Sequence, residues 1–147
     1  MKRFVFKENK IAKIATSTLI TTTTADADDT AAFLDAKGYA NVAVLCYCVS
    51  TSSDPTVTLK LRAHTASTGT GGTAVATVSW TGGTTGDVAA LQSEVDIKGD
   101  SYRYFNVQIK TASGKAKFRN IYLLGAPRHG PVTHITTVKS TAVASHG

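Results

Sequence analysis

The chain is short of what reactive or cross-linked proteins are built from. Its 147 residues include two cysteines, three prolines, one tryptophan and one methionine, and charged residues make up 18%. Cys46 and Cys48 stand two apart in Leu45-Cys46-Tyr47-Cys48-Val49. On a strand, side chains two apart share a face and point the same way, so bonding them needs a distorted backbone. No further ligand stands near them at metal-binding spacing. Both cysteines read as small buried apolar residues, and a disulfide-stapled secreted module is excluded. No apolar run is long enough for a signal peptide or a membrane span, so the chain is expected to be made in the cytoplasm, to stay soluble and to have no membrane partner. No helix-period segment exceeds two turns. The best helix candidates are residues 25–34 and 87–92.

Catalytic patterns are missing too. The run Ser67-Thr68-Gly69-Thr70-Gly71-Gly72-Thr73 lacks the Gly-Lys-Ser/Thr ending of a phosphate loop and joins two strands, so it reads as a hairpin loop. Asp26-Ala27-Asp28-Asp29 lacks the glycine and distal glutamate of a calcium loop and reads as a solvated turn or helix cap. His129 and His134 flank Gly130-Pro131, which rules out a shared helical face for zinc. No serine lies in a nucleophile elbow, and no spaced carboxylate pair stands out as acid and base. The expectation is a protein without enzymatic activity, metal or cofactor.

Threonine is abundant, at about one residue in six. It is β-branched and favours extended backbone, and it gives a strand an outer face that is polar without charge. Residues 56–63 are the clearest strand, with Val57, Leu59, Leu61 and Ala63 on one face and Thr56, Thr58, Lys60 and Arg62 on the other. In residues 102–110, Phe105, Val107 and Ile109 form the inner set, with Tyr104, Asn106, Gln108 and Lys110 opposite on the wet face, and Arg103 shares the inner parity. In residues 93–98, Val95 and Ile97 form the inner set. Residues 73–80 alternate Ala74, Ala76, Val78 and Trp80 with Thr73, Val75, Thr77 and Ser79. Trp80 is read as closing the core at a strand end. Residues 41–49 are apolar on both parities, which predicts a central strand covered on both sides, a partner subunit being one candidate for the second cover. Residues 115–124 begin amphipathic and end apolar.

Short strands joined by glycine-rich turns predict an all-β fold: an antiparallel β-sandwich of jelly-roll type with about eight strands and extended N- and C-terminal arms. Residues 1–10 read as a basic arm, 11–127 as the sandwich and 128–147 as a C-terminal arm. At 147 residues one domain suffices.

The net charge is +6 and unevenly spread. Acid clusters at Asp26, Asp28, Asp29 and Asp35, whereas residues 101–147 hold none. Such asymmetry points to a partner of negative potential. Lys115, Lys117 and Arg119 share a strand face and can present a stripe of charge. Nucleic-acid binding is disfavoured, because alternation splits the aromatics of Tyr102-Arg103-Tyr104-Phe105 between two faces and no recognition motif is present.

The order of features over residues 11–128 resembles the small jelly-roll head decoration, or cement, proteins of tailed bacteriophages. The resemblance lies in Asp35-Ala36-Lys37-Gly38-Tyr39 leading into an apolar strand, then Thr56-Val57-Thr58-Leu59-Lys60-Leu61 with a Thr/Gly-rich loop after it. Tyr102-Arg103-Tyr104-Phe105-Asn106-Val107 follows, before Ile121-Tyr122-Leu123-Leu124-Gly125 and a proline-containing tail. The resemblance implies a non-enzymatic capsid accessory on the outer surface of the virion, bound to the major capsid protein and often trimeric. It supplies no attachment residues. From this chain's own pattern, the expected contacts are Lys2, Arg3, Lys7, Lys10, Lys13, Lys115, Lys117, Arg119 and Arg128, with Val42, Val44 and Tyr47 on the apolar strand. The alternative is a receptor- or glycan-binding module of a fibre or spike, with Trp80, Tyr102 or Tyr104 stacked on a sugar.

Overall fold

Among the described residues, period-two alternation becomes nine antiparallel strands: β1 (Asn9–Thr16), β2 (Ala27–Asp28), β3 (Leu34–Asp35), β4 (Tyr39–Ser52), β5 (Thr56–His64), β6 (Thr73–Trp80), β7 (Val88–Glu94), β8 (Tyr104–Ala112) and β9 (Lys115–Pro127). The computed structural model describes residues 9–16, 26–29, 33–69, 72–95 and 102–127. The first sheet has the order β1-β9-β4-β7; the second has β2-β8-β5-β6, with β3 also pairing with β8. Every connection crosses between the sheets except the β2–β3 step and the β5–β6 hairpin. With β2 and β3 counted as one interrupted strand, this is the jelly roll. No helix among the described residues is long and apolar enough to cross a membrane.

The core lies between the sheets. The first sheet contributes Val42, Val44, Cys46, Cys48, Leu91, Phe118, Tyr122 and Leu124; the second contributes Val57, Leu59, Leu61, Phe105, Val107 and Ile109. Cys46 and Cys48 are both buried and unbonded, as expected from the sequence. Trp80 closes one end, its indole edge-on to Phe118 at 6.0 Å.

Both helix expectations fail. The described part of residues 25–34 contains the two-residue strands β2 and β3 on the edge of β8. Residues 88–94 form β7, where Ala89 and Leu91 are buried and alternate with exposed Val88, Ala90 and Gln92. Seven residues of β4 pair with it, and that ladder overrides the helix propensity of Ala, Leu and Gln. Val95 is buried as expected, but the strand ends at Glu94 and Ile97 falls outside the described residues. β1 starts at Asn9, so Asn9 and Lys10 belong to the first sheet and not to the arm.

Between β2 and β3 the chain leaves the ladder, and Asp29 turns inward. Its amide donates to Val107 O at 2.9 Å. Its carboxylate is buried between the sheets, where it accepts from Asn120 Nδ2 at 2.9 Å and from the Tyr122 hydroxyl. That hydroxyl in turn accepts from the Val107 amide at 3.0 Å, a donor the interrupted edge strand leaves unpaired. The solvated turn or helix cap expected here is therefore wrong: Asp29 is a polar tie across the core. Burial first, and the Asp29 charge second, raise the Tyr122 hydroxyl well above the ordinary tyrosine range.

Candidate functional site

The outer face of the first sheet carries the largest exposed apolar side chains. β4 lies between β9 and β7, so its outward residues have cross-strand neighbours on both sides. Leu45 stands opposite Ala90 and Ile121; Tyr47 stands opposite Val88 and Arg119; Ala43 stands opposite Gln92 and Leu123. Leu45 is 41% exposed, Tyr47 47% and Val88 64%. Among the described residues, no part of this chain covers the second face: the inner parity of β4 is buried and the outer parity is open. A shallow depression lies at the far end of this face, lined by Asn41, Ala43, Gln92, Glu94, Leu123 and Gly125.

The cationic stripe lies on the same face. Along β9, Ala116, Phe118, Asn120, Tyr122 and Leu124 point inward, so Lys115, Lys117, Arg119, Ile121 and Leu123 form one outward column. A register shift at Val49 turns β4 so that Ser50 and Ser52 face Lys117 and Lys115. Apolar pairs therefore give way to serine–lysine pairs, with the Tyr47–Arg119 pair at the junction. At about 3.4 Å per residue, Lys115 to Leu123 spans roughly 27 Å. Of the described acidic residues, Glu94 alone lies on this face, beside Asn41 at the end away from the lysines.

The expected contact residues divide accordingly. Tyr47, Lys115, Lys117 and Arg119 come together. Val42 and Val44 do not: both are 0% exposed in the core, because on a strand apolar on both parities the sequence does not say which side is inside. Lys10 and Lys13 lie in β1, in register with Leu124 and Tyr122. Lys2, Arg3, Lys7 and Arg128 lie outside the described residues. Leu45, Val88, Ile121 and Leu123 share this face and are not among the expected contacts. The odd-numbered column running on from Arg119 was the signal for Ile121 and Leu123; Val88 carried none, since residues 87–92 read as helix.

Side chains that looked reactive have structural duties. Asp26 pairs with Lys60 at 2.8 Å, and Asp28 accepts from Asn106 at 2.6 Å and Gln108 at 2.9 Å. Asp26 and Asp28 share the outer face of the second sheet while Asp29 lies between the sheets, so the three carboxylates do not gather on one point. His64 is buried, stacked on Phe33 with ring centroids 4.6 Å apart, and its ring nitrogens face Asn106 Oδ1 at 2.6 Å and Gly69 O at 3.1 Å. Asn106, expected on the wet face, is buried by these partners. His129, His134 and His146 lie outside the described residues. Burial pushes the Cys46 thiol up to about 12, and Asp29 adds to that.

Of the aromatics considered for sugar stacking, Trp80 and Tyr104 are engaged by neighbours and Tyr102 packs partly buried against the core. Trp80 Nε1 donates to Asp87 Oδ2 at 3.0 Å. The Thr84 amide and hydroxyl hold the same Asp87 carboxyl below the usual carboxylate range, with Trp80 adding to them. Arg103 does not follow Phe105 inward. It forks onto Asp35 at 2.5 and 2.6 Å and lies 5.1 Å from the centre of the Tyr104 ring.

No family model matches the sequence, and no curated protein does. Among solved structures, the chain is similar to one described as "Bacillus endospore appendages form a novel family of disulfide-linked pili". Identity is 18%, the match covers 85% of this chain and 96% of that one, and the TM-score is 0.43. It is also similar to "Structure of infectious bursal disease virus Gx strain", at 11% identity and a TM-score of 0.46. That match covers 83% of this chain and spans only 33% of the viral one. Both TM-scores are below 0.5, and the jelly-roll assignment rests on the strand order.

Proposed function

We propose that this chain is a structural subunit of a virus particle: a decoration protein that sits on the outside of a phage head and clamps neighbouring major capsid subunits. One observation supports this reading above others. A rigid sandwich presents a single face on which exposed Leu45, Tyr47 and Val88 adjoin the cationic column Lys115, Lys117 and Arg119. A chain with such a face is equipped for adhesion to a surface that is apolar and edged with carboxylates. Burial of the apolar part provides affinity. The cations speed and orient docking more than they tighten it. Holding several capsid subunits at once multiplies weak contacts through effective concentration. A clamp that binds the intact shell and not the disrupted one stabilises the shell by linkage.

The test is attachment to purified heads. Heads carrying the protein are expected to survive higher temperature than bare heads, with occupancy falling as salt rises. Leu45→Asp and the triple change Lys115→Glu, Lys117→Glu, Arg119→Glu should each cut occupancy; the triple change should leave the stability of the free protein within about 0.5 kcal/mol, and Leu45→Asp should cost about 1 kcal/mol without unfolding it. Unchanged occupancy in both variants, or equal survival of coated and bare heads, overturns the reading.

A further inference from the structure

The two sheets have four edges, and three of them are guarded. β1 carries Lys10 and Lys13, and β7 carries Glu94. β2 and β3 are two residues each and bear Asp28 and Asp35. Charge and shortness are the usual devices by which edge strands avoid pairing with other chains. β6 has neither. Its eight residues, Thr73-Ala74-Val75-Ala76-Thr77-Val78-Ser79-Trp80, contain no charge and no proline, and they are rich in strand-forming types. It pairs with β5 on one side, and among the described residues no strand lies on the other. A bulge leaves Val75 unpaired, since Leu61 faces Ala76 and Arg62 faces Ala74, but residues 76–80 run in regular register with β5.

We infer that β6 is a joint between two copies of this chain, paired antiparallel edge to edge across a two-fold axis so that their second sheets become one. Lysines of two β1 edges brought together would repel, as would the glutamates of two β7 edges, whereas two β6 edges meet without any charge. With the two-fold axis at Val78, the exposed Thr77 of each copy lies across from Ser79 of the other; Ser79 Oγ already donates to Val57 O at 3.1 Å, so it is the Thr77 hydroxyl that donates across the joint. The two-fold contact consumes both open edges and closes at the pair, which prevents a growing fibre. It lies on the sheet opposite the apolar–cationic face, so a pair can form and dock. Its symmetry differs from the three-fold association that the resemblance implies.

Sedimentation at micromolar concentration tests this with Thr77→Lys and Thr77→Glu. Lys60 stands across from Thr77 within the sheet, so the glutamate variant keeps a compatible neighbour when alone. The wild-type chain should be a dimer. Each variant alone should associate at least roughly tenfold more weakly through like charge at the joint, with thermal melting unchanged in Thr77→Glu and slightly lowered in Thr77→Lys by Lys60. An equimolar mixture of the two should restore the dimer. A monomeric wild type, dimers that persist in both variants, or a mixture that stays monomeric overturns the inference. Solution dimerisation needs no phage head, so its failure is distinguishable from failure of the proposed docking.

Discussion

Replacing Asp29 with leucine should strand at least two buried donors at once. Asn120 Nδ2 and the Tyr122 hydroxyl both donate to the Asp29 carboxylate in the core, and all three residues are buried. Each buried donor left without an acceptor costs about 1–3 kcal/mol, so the pair amounts to roughly 2–6 kcal/mol. In a domain of this size, each kcal/mol moves the melting temperature by about 2–4 °C, so the drop should be at least about 4 °C. The assay is thermal unfolding followed by circular dichroism, with reversibility checked. The sharper measurement is a cycle with Tyr122→Phe. In that background the phenol is already gone, so Asp29→Leu strands only Asn120 and should cost about 1–3 kcal/mol less. A cost below about 1 kcal/mol, or an equal cost in both backgrounds, would refute the argument that this carboxylate ties the sheets together.

Alkaline pH should destabilise the fold. The buried Cys46 thiol is raised from 9.0 to about 12, so the unfolded chain releases this proton first. The stability is fully present below pH 9 and is lost as pH rises toward 12, to a ceiling of roughly 4 kcal/mol. Tyr122, raised above 10.0, acts in the same direction at higher pH, and melting curves of Cys46→Ala should show a shallower fall over this range. Gly114→Ala should destabilise by about 1–3 kcal/mol in urea titration, because its Cβ would lie 2.2 Å from the backbone oxygen of Ser52 and no flexible side chain is there to yield. Val44→Ala should cost stability and leave head attachment intact, whereas Leu45→Asp cuts attachment, because adjacent residues on β4 face opposite ways.

Strands such as residues 56–63 and 73–80 were legible because one apolar parity and one polar parity name both the conformation and the inner face. The cationic column was legible for the same reason, since Ala116 and Phe118 mark the inner side of β9. Residues 41–49 were half legible. Their apolar alternation declared a strand, but only the partner strands decided that Val42 and Val44 face inward and Leu45 and Tyr47 outward. Residues 87–92 misled because Ala, Leu and Gln favour helix locally, while pairing with β4 is a contact between residues some 45 positions apart. Asn120 was a signal passed over: a polar residue on the inner parity, between Phe118 and Tyr122, calls for a buried partner.

The amino-acid order by itself determined that this chain makes short antiparallel strands, that its cysteines are buried, and that lysine and arginine line one side of β9. Those outcomes depend on interactions a few residues apart, which local pattern records. Tertiary structure alone decided that the cationic column and the apolar patch share a face, that Asp29 enters the core, and that, among the described residues, β6 has a strand on one side only. Each of these depends on which distant strand becomes a neighbour, and side-chain periodicity carries no information about that choice.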